Sequence, residues 1–156
     1  MKLFTEKQRN NEYTIIIGCG RLGANLANTL SEEDGNVLII DKEKDALRKL
    51  SPSFGGLTIT GDATDLDVLH EAQIEKASVV VVVTNNDSTN IMVAQIARKR
   101  FNISRVIARL YDLDRECVYR EFNIDTICPA ILSEKEIGKI LSKTSSEDEI
   151  CEVRKI

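Results

Sequence analysis

The chain has 156 residues, 42% of them hydrophobic and 29% charged, enough for one ordinary domain with a real core and little room for a second. With 21 basic against 25 acidic side chains the net charge is -4, so the sequence lacks the basic footprint of a nucleic-acid or anionic-membrane binder. The longest uninterrupted apolar run, 79–83, is far too short to span a bilayer, and the opening MKLFTEKQRNNEY holds no apolar stretch of signal-peptide length.

Taken in chain order, runs rich in Val, Ile and Thr alternate with helix-like segments. Strands are predicted at 14–18, 36–41, 57–60, 78–84, 105–109 and 125–128, and helices near 21–31, 43–50, 64–73, 88–101, 112–121 and 131–142. In the first helix Leu22, Leu26 and Leu30 recur at i+4 and predict an inward stripe. Asp34-Gly35-Asn36, Pro52 and Gly55-Gly56 punctuate the boundaries, and Pro129 opens the last helix.

Strand–helix alternation implies an α/β, Rossmann-like, doubly wound parallel sheet with helices on both faces. Right-handed crossovers make 3-2-1-4-5-6 its most economical strand order. Residues 1–12 read as an N-terminal extension, 13–143 as the domain, and 144–156, TSSEDEICEVRKI, as a polar tail or linker stub.

The first strand runs directly into GCGRLG, the G-x-G-x-x-G pattern, at the mouth of the first helix. Gly18 suits the tight turn, Gly20 the approach of a phosphate, and Gly23 close helix–strand packing, while the helix N-terminus favours an anion. Cys19, Arg21 and Leu22 fill the spaces of the same loop. Arg21 is placed to bind phosphate bidentately, and Cys19 reads first as a spacer and second as a redox-sensitive thiol at an electropositive helix end. Asp41 ends the second strand, eighteen residues after Gly23, where an acid accepts ribose hydroxyls and repels a 2′-phosphate, so NADP is disfavoured. Lys42 beside it weakens that exclusion slightly, and the lesser alternative, compatible with the ribose role, is that Asp41 caps the helix beginning near Glu43.

Three further loops meet at the same sheet edge. In 61–65, GDATD, Asp62 with Ala63 forms a candidate adenine edge, while Asp62 or Thr64 also suits a helix cap. In 84–87, Thr84, Asn85 and Asn86 lie across the switch point from the first strand, with Asp87 or Ser88 as the expected cap. Arg109 ends the fifth strand as a second candidate phosphate ligand, or as a surface arginine with its stem on the sheet.

Together GCGRLG, the Ile40-Asp41 pair, GDATD, VTNND and ARLYD resemble the nucleotide-binding regulatory domain of Trk/Ktr-type potassium uptake systems, the RCK N-terminal, TrkA-N or KTN domain, over about 13–141. The resemblance implies a cytoplasmic subunit, peripheral to the inner membrane through its partner, that binds NAD(H) or ATP/ADP and gates a membrane potassium channel or transporter. It places Gly18, Gly20, Arg21, Gly23, Asp41, Asp62, Ala63 and Thr84 on ligand-binding positions and Arg109 on an arginine that approaches phosphate. It also implies a homodimer or larger ring in which the last helix, with Ile131, Leu132, Ile137, Ile140 and Leu141 apolar, crosses between subunits. Full-length members usually continue into a second regulatory domain, so this chain reads as a one-domain member or a fragment.

No enzymatic activity is expected. A dehydrogenase needs a proton-transfer group and a substrate pocket beside its nicotinamide, and His70, the only histidine, falls late in a helix that runs away from the site. There is no Walker motif, and the four cysteines include no C-x-x-C pair, so neither ATP hydrolysis nor a zinc site is expected. The competing readings are the NAD-binding half of an oxidoreductase whose catalytic domain lies elsewhere, and a redox-responsive transcription regulator. The latter needs a helix-turn-helix that the residues before the first strand cannot supply.

Overall fold

A computed structural model describes residues 12–152. Six strands, β1 (Tyr13–Ile17), β2 (Asn36–Asp41), β3 (Leu57–Thr60), β4 (Val79–Val82), β5 (Arg105–Arg109) and β6 (Asp125–Ile127), form one sheet. It has the order β3-β2-β1-β4-β5-β6, with every pairing parallel. The helices are α1 (Arg21–Glu32), α2 (Leu66–Glu71), α3 (Asp87–Gln95), α4 (Glu116–Glu121) and α5 (Pro129–Glu152), with 3-10 segments at Lys44–Lys49, Ile74–Lys76 and Leu113–Arg115. The sequence reading of the fold class and strand order therefore holds.

The apolar runs are continuous because both faces of the central strands are covered. Ile15, Ile17, Leu38, Ile40, Val80 and Val82 pack on one face with residues of α2 and α3. Their neighbours Ile16, Val37, Ile39, Val79, Val81 and Val83 pack on the other face with α1. The alternation follows from the two-residue side-chain period of a strand.

The α1 stripe differs from the expected one. Its buried residues are Gly23, Ala24, Ala27 and Leu30, whereas Leu22 is 37% exposed. The reason is proximity: a Cβ on Gly23 would lie 1.9 Å from the Gly18 carbonyl oxygen, so this turn of helix admits only small side chains against the sheet.

Other elements also depart from the sequence reading: the predicted helix near 43–50 is a 3-10 segment, and those near 64–73 and 112–121 each shorten to six α-helical residues. The predicted fourth crossover helix near 88–101 is α-helical only to Gln95, then widens into a π turn, Ile96–Arg100. Arg98 on this turn donates through Nη1 to the carbonyls of Ile103 at 2.7 Å and Ser104 at 3.0 Å, tying its end to β5. The last helix runs through Glu152, ten residues past its expected end. Along it Leu132, Ile137, Ile140 and Leu141 are exposed. No helix of the described residues is long and apolar enough to cross a membrane.

Candidate functional site

A parallel sheet brings the carboxyl ends of all its strands to one edge, and the crevice opens where the winding reverses between β1 and β4. A cavity of about 390 Å³ lies there. Its floor is extended by single backbone bonds that carry the sheet pattern past the strands: Gly18 N donates to Ile40 O, Gly61 N to Asp41 O, and Val83 N to Ile17 O, at 2.8 to 2.9 Å.

Of the residues predicted from the sequence, Gly18, Cys19, Gly20, Asp41, Lys42, Asp62, Ala63, Thr84, Asn85, Asn86 and Arg109 all line this cavity. Gly23 is buried behind it, on the sheet-facing side of α1. Arg21 and Leu22 are exposed on the first turn of α1 and do not line it. Residues the sequence reading did not single out complete the wall, among them Glu43, Ala46, Lys49 and Thr89. Lys49 reaches the site because the 3-10 turn after β2 folds back, so that its Nζ donates to the Cys19 carbonyl at 3.3 Å. A lysine eight residues beyond Asp41 in a surface segment carries no sequence signal for that.

The glycine loop is shaped by two different demands. Gly18 has φ +104, and a Cβ there would meet Thr84 N at 2.9 Å, so glycine is required by the protein itself. Gly20 has an ordinary φ of -74, and a Cβ there would meet nothing within 4 Å. The space beside Gly20 is open, and α1 begins at Gly20 without a side-chain cap and without an acidic residue in its first turn. An uncapped helix start leaves N–H donors available to an anion.

Asp41 anchors the opposite side. Its Oδ2 accepts from Cys19 N at 2.6 Å and its Oδ1 from Glu43 N at 2.8 Å, so one carboxylate ties the glycine loop to the end of β2. Asp41 does not cap the following 3-10 turn, whose N-cap is Glu43 without a side-chain bond, and each of its oxygens keeps acceptor capacity. The buried Cys19 thiol is pushed above its ordinary pKa, by burial first and by the Asp41 charge second, with Lys49 opposing. Burial thus opposes the activation that an electropositive helix end gives a thiol.

The caps also differ from expectation. Asp62 accepts from the backbone and hydroxyl of Thr64 at 2.9 and 2.7 Å, which holds its own carboxyl below the usual pKa. The cap of α2 is instead Asp65, accepting from Asp67 N. Asn86 caps α3, accepting from Thr89 N at 2.9 Å. Asp87 is drawn away from that role by the backbone N–H groups of Tyr111 and Asp112 in the next loop.

Arg109 closes the far wall. Its guanidinium stacks over the Tyr111 ring at 4.1 Å, yet its buried Nε has no hydrogen-bond partner. A buried cationic donor without an acceptor is costly, and this one belongs to a residue of the cavity wall. The charged wall is balanced, with Lys42, Lys49 and Arg109 against Asp41, Glu43 and Asp62. Among the described residues neither histidine nor tyrosine lines it; His70 pairs with Glu75 and lies edge-on to Phe101 elsewhere. Among the described residues no group of three His, Cys, Asp or Glu could hold a metal ion.

Comparison with known proteins agrees with this geometry. The TrkA-N domain family matches residues 14–129. The chain is 40% identical over 115 residues to the Trk system potassium uptake protein TrkA of Streptomyces coelicolor, covering 74% of this chain and 52% of that protein, so it spans about half the length of this relative. The solved structure of the GsuK channel bound to NAD superposes with a TM-score of 0.74 at 28% identity, covering 88% of this chain and 24% of that one. The structure of GsuK bound to ADP gives 0.72 at 28% identity, covering 86% and 35%. A family match over most of the chain, on a fold whose cleft gathers the same motifs, is decisive: this chain belongs to the TrkA-N domain family.

Proposed function

We propose that the cleft binds an adenine nucleotide, NAD(H) or ATP/ADP, and that residues 13–143 act as the nucleotide-sensing unit of a cytoplasmic protein that controls a membrane potassium channel or transporter. The single observation that carries the ligand reading is the unpaired, buried Nε of Arg109 in the wall of a cleft that also holds the open backbone of Gly20. Phosphates resting on the α1 N-terminus would supply the missing acceptor, and Asp41 would take ribose hydroxyls. The NAD-bound and ADP-bound GsuK structures support the class of ligand, and the TrkA relative supports the partner.

The same site reads as a sensor rather than a catalyst. Among the described residues its wall holds no histidine or tyrosine for proton transfer, and burial raises the pKa of its thiol. Control of a transporter then requires that the nucleotide bind two arrangements of the assembly with different affinity. Two or more copies provide such arrangements, and the exposed apolar residues Leu132 and Ile137 on α5 suit a helix that packs on a second copy.

Calorimetric titration with NAD+, NADH, ATP, ADP and NADP+ tests the reading. Binding by at least one adenine nucleotide, weaker for NADP+ than for NAD+, is expected. No heat from any of them at millimolar concentration would overturn it.

A further inference from the structure

Asn90 is not part of the cleft wall, yet it holds two strands of that wall together. It is fully buried on α3. Its Oδ1 accepts from Thr84 N at 3.0 Å and from Thr84 Oγ1 at 2.6 Å, and its Nδ2 donates to Thr84 O at 3.2 Å and to Arg109 O at 3.0 Å. Two donors and two acceptor lone pairs are all that a carboxamide offers, so the side chain is saturated by the ends of β4 and β5.

One turn earlier, Asp87 takes hold of the same segment further along. Both of its oxygens accept from Tyr111 N at 3.0 Å, and Oδ2 accepts from Asp112 N at 2.9 Å. The Asp87 carbonyl in turn accepts from the buried Tyr119 hydroxyl at 3.2 Å. The ring of Tyr111 is the surface on which the Arg109 guanidinium rests. The segment 109–112, which leaves the sheet at the cleft, is thereby suspended from the first turns of α3 at both ends.

We propose that Asn90 and Asp87 are positioning residues that hold the Arg109 guanidinium at the cleft for the distal phosphates of a nucleotide; the proposal rests on the cleft being a nucleotide site. An arginine has a long flexible stem, and a site that fixes its backbone and its stacking partner avoids ordering it at each binding event. In the strand order, β1 and β5 are separated by β4, so the α1 N-terminus and Arg109 lie two strand spacings apart, roughly 10 Å. That is a separation of backbones, which the Arg109 stem and the phosphate chain of the ligand close from opposite sides, and a triphosphate seated at Gly20 extends further across it than a single phosphate does. The clamp therefore matters more for ATP than for AMP.

The test is calorimetric titration of ATP and of AMP into Asn90→Ala and Asp87→Ala, with thermal unfolding to establish that each variant folds. Asp87 is only partly buried, so its variant carries the test if the Asn90 variant does not fold. ATP affinity is expected to fall about tenfold, one charge-assisted hydrogen bond's worth, while AMP affinity stays within about twofold. In an Arg109→Met background the same replacements should change ATP affinity by less than about twofold, because coupled residues are not additive. Equal weakening of ATP and AMP, or a full additional loss in the Arg109→Met background, would reduce the pair to ordinary structural residues and overturn the proposal. Unaltered ATP affinity in both variants overturns the clamp alone. A wild-type protein that binds neither nucleotide overturns the nucleotide reading and the clamp together.

Discussion

Gly23 sits so close to Gly18 that a Cβ on Gly23 would come within 1.9 Å of the Gly18 carbonyl oxygen. Backbone on both sides leaves nothing flexible to yield. Gly23→Ala is therefore expected to lower stability by about 3 kcal/mol or more, at the upper end of overpacking costs, read as a lower unfolding midpoint in urea. Gly20→Ala makes the opposite case. The added methyl meets no protein atom within 4 Å, so stability should change by less than about 1 kcal/mol, while the methyl takes the space reserved for phosphate and nucleotide binding falls. Equal stability loss in both variants would contradict this division of labour.

Asp41 secures two backbone donors, Cys19 N and Glu43 N. Asp41→Ala leaves both without their acceptor and is expected to cost about 1–3 kcal/mol, with the loss of adenosine recognition added to it. Asp41→Asn retains an acceptor and removes the charge that repels a 2′-phosphate. Its ratio of NADP+ to NAD+ affinity should rise, which paired titrations would reveal.

Arg109→Met removes an unpaired buried donor together with its stacking on Tyr111. These effects oppose one another, so the unfolding free energy should shift by no more than about 1 kcal/mol. Nucleotide affinity should fall and lose part of its dependence on salt. Unchanged affinity at low salt would show that the guanidinium does not meet the ligand.

Tyr119 is fully buried, and burial, reinforced by the Asp87 charge, pushes its phenol up to about 12. Its folded pKa exceeds that of an unfolded tyrosine near 10, so the folded state holds the proton more tightly. The associated stability is intact below about pH 10 and is lost as pH rises towards 12. Absorbance at about 295 nm should show one tyrosine ionising only as the protein unfolds, and Tyr119→Phe should flatten the stability profile across that window.

Charge placed on the apolar face of α5 tests the assembly. Ile137 is 56% exposed in a single chain, so Ile137→Glu should leave the thermal stability of the isolated fold within about 0.5 kcal/mol. If α5 packs on a second copy, the same change shifts the sedimentation profile towards monomer. An unaltered profile would place the contact between copies elsewhere.

What could be read without coordinates was whatever depends on neighbours along the chain. The alternation of apolar runs, the spacing from Gly18 to Gly23 and the acid at Asp41 determined the strand order, the mouth of the site and most of its wall, because in a parallel sheet each strand's end is bound to the same edge. The tertiary structure decided what depends on which backbone comes near which. Lys49 joined the wall through a turn whose path no local pattern encodes, and Ala24 and Ala27 joined Leu30 on the buried face of α1 while Leu22 turned outward, because helix and strand touch at Gly23. Asn90, an unremarkable polar residue in a helix by sequence, became the buried link between β4 and β5 because their ends present carbonyls and an N–H that only a carboxamide of that reach satisfies together.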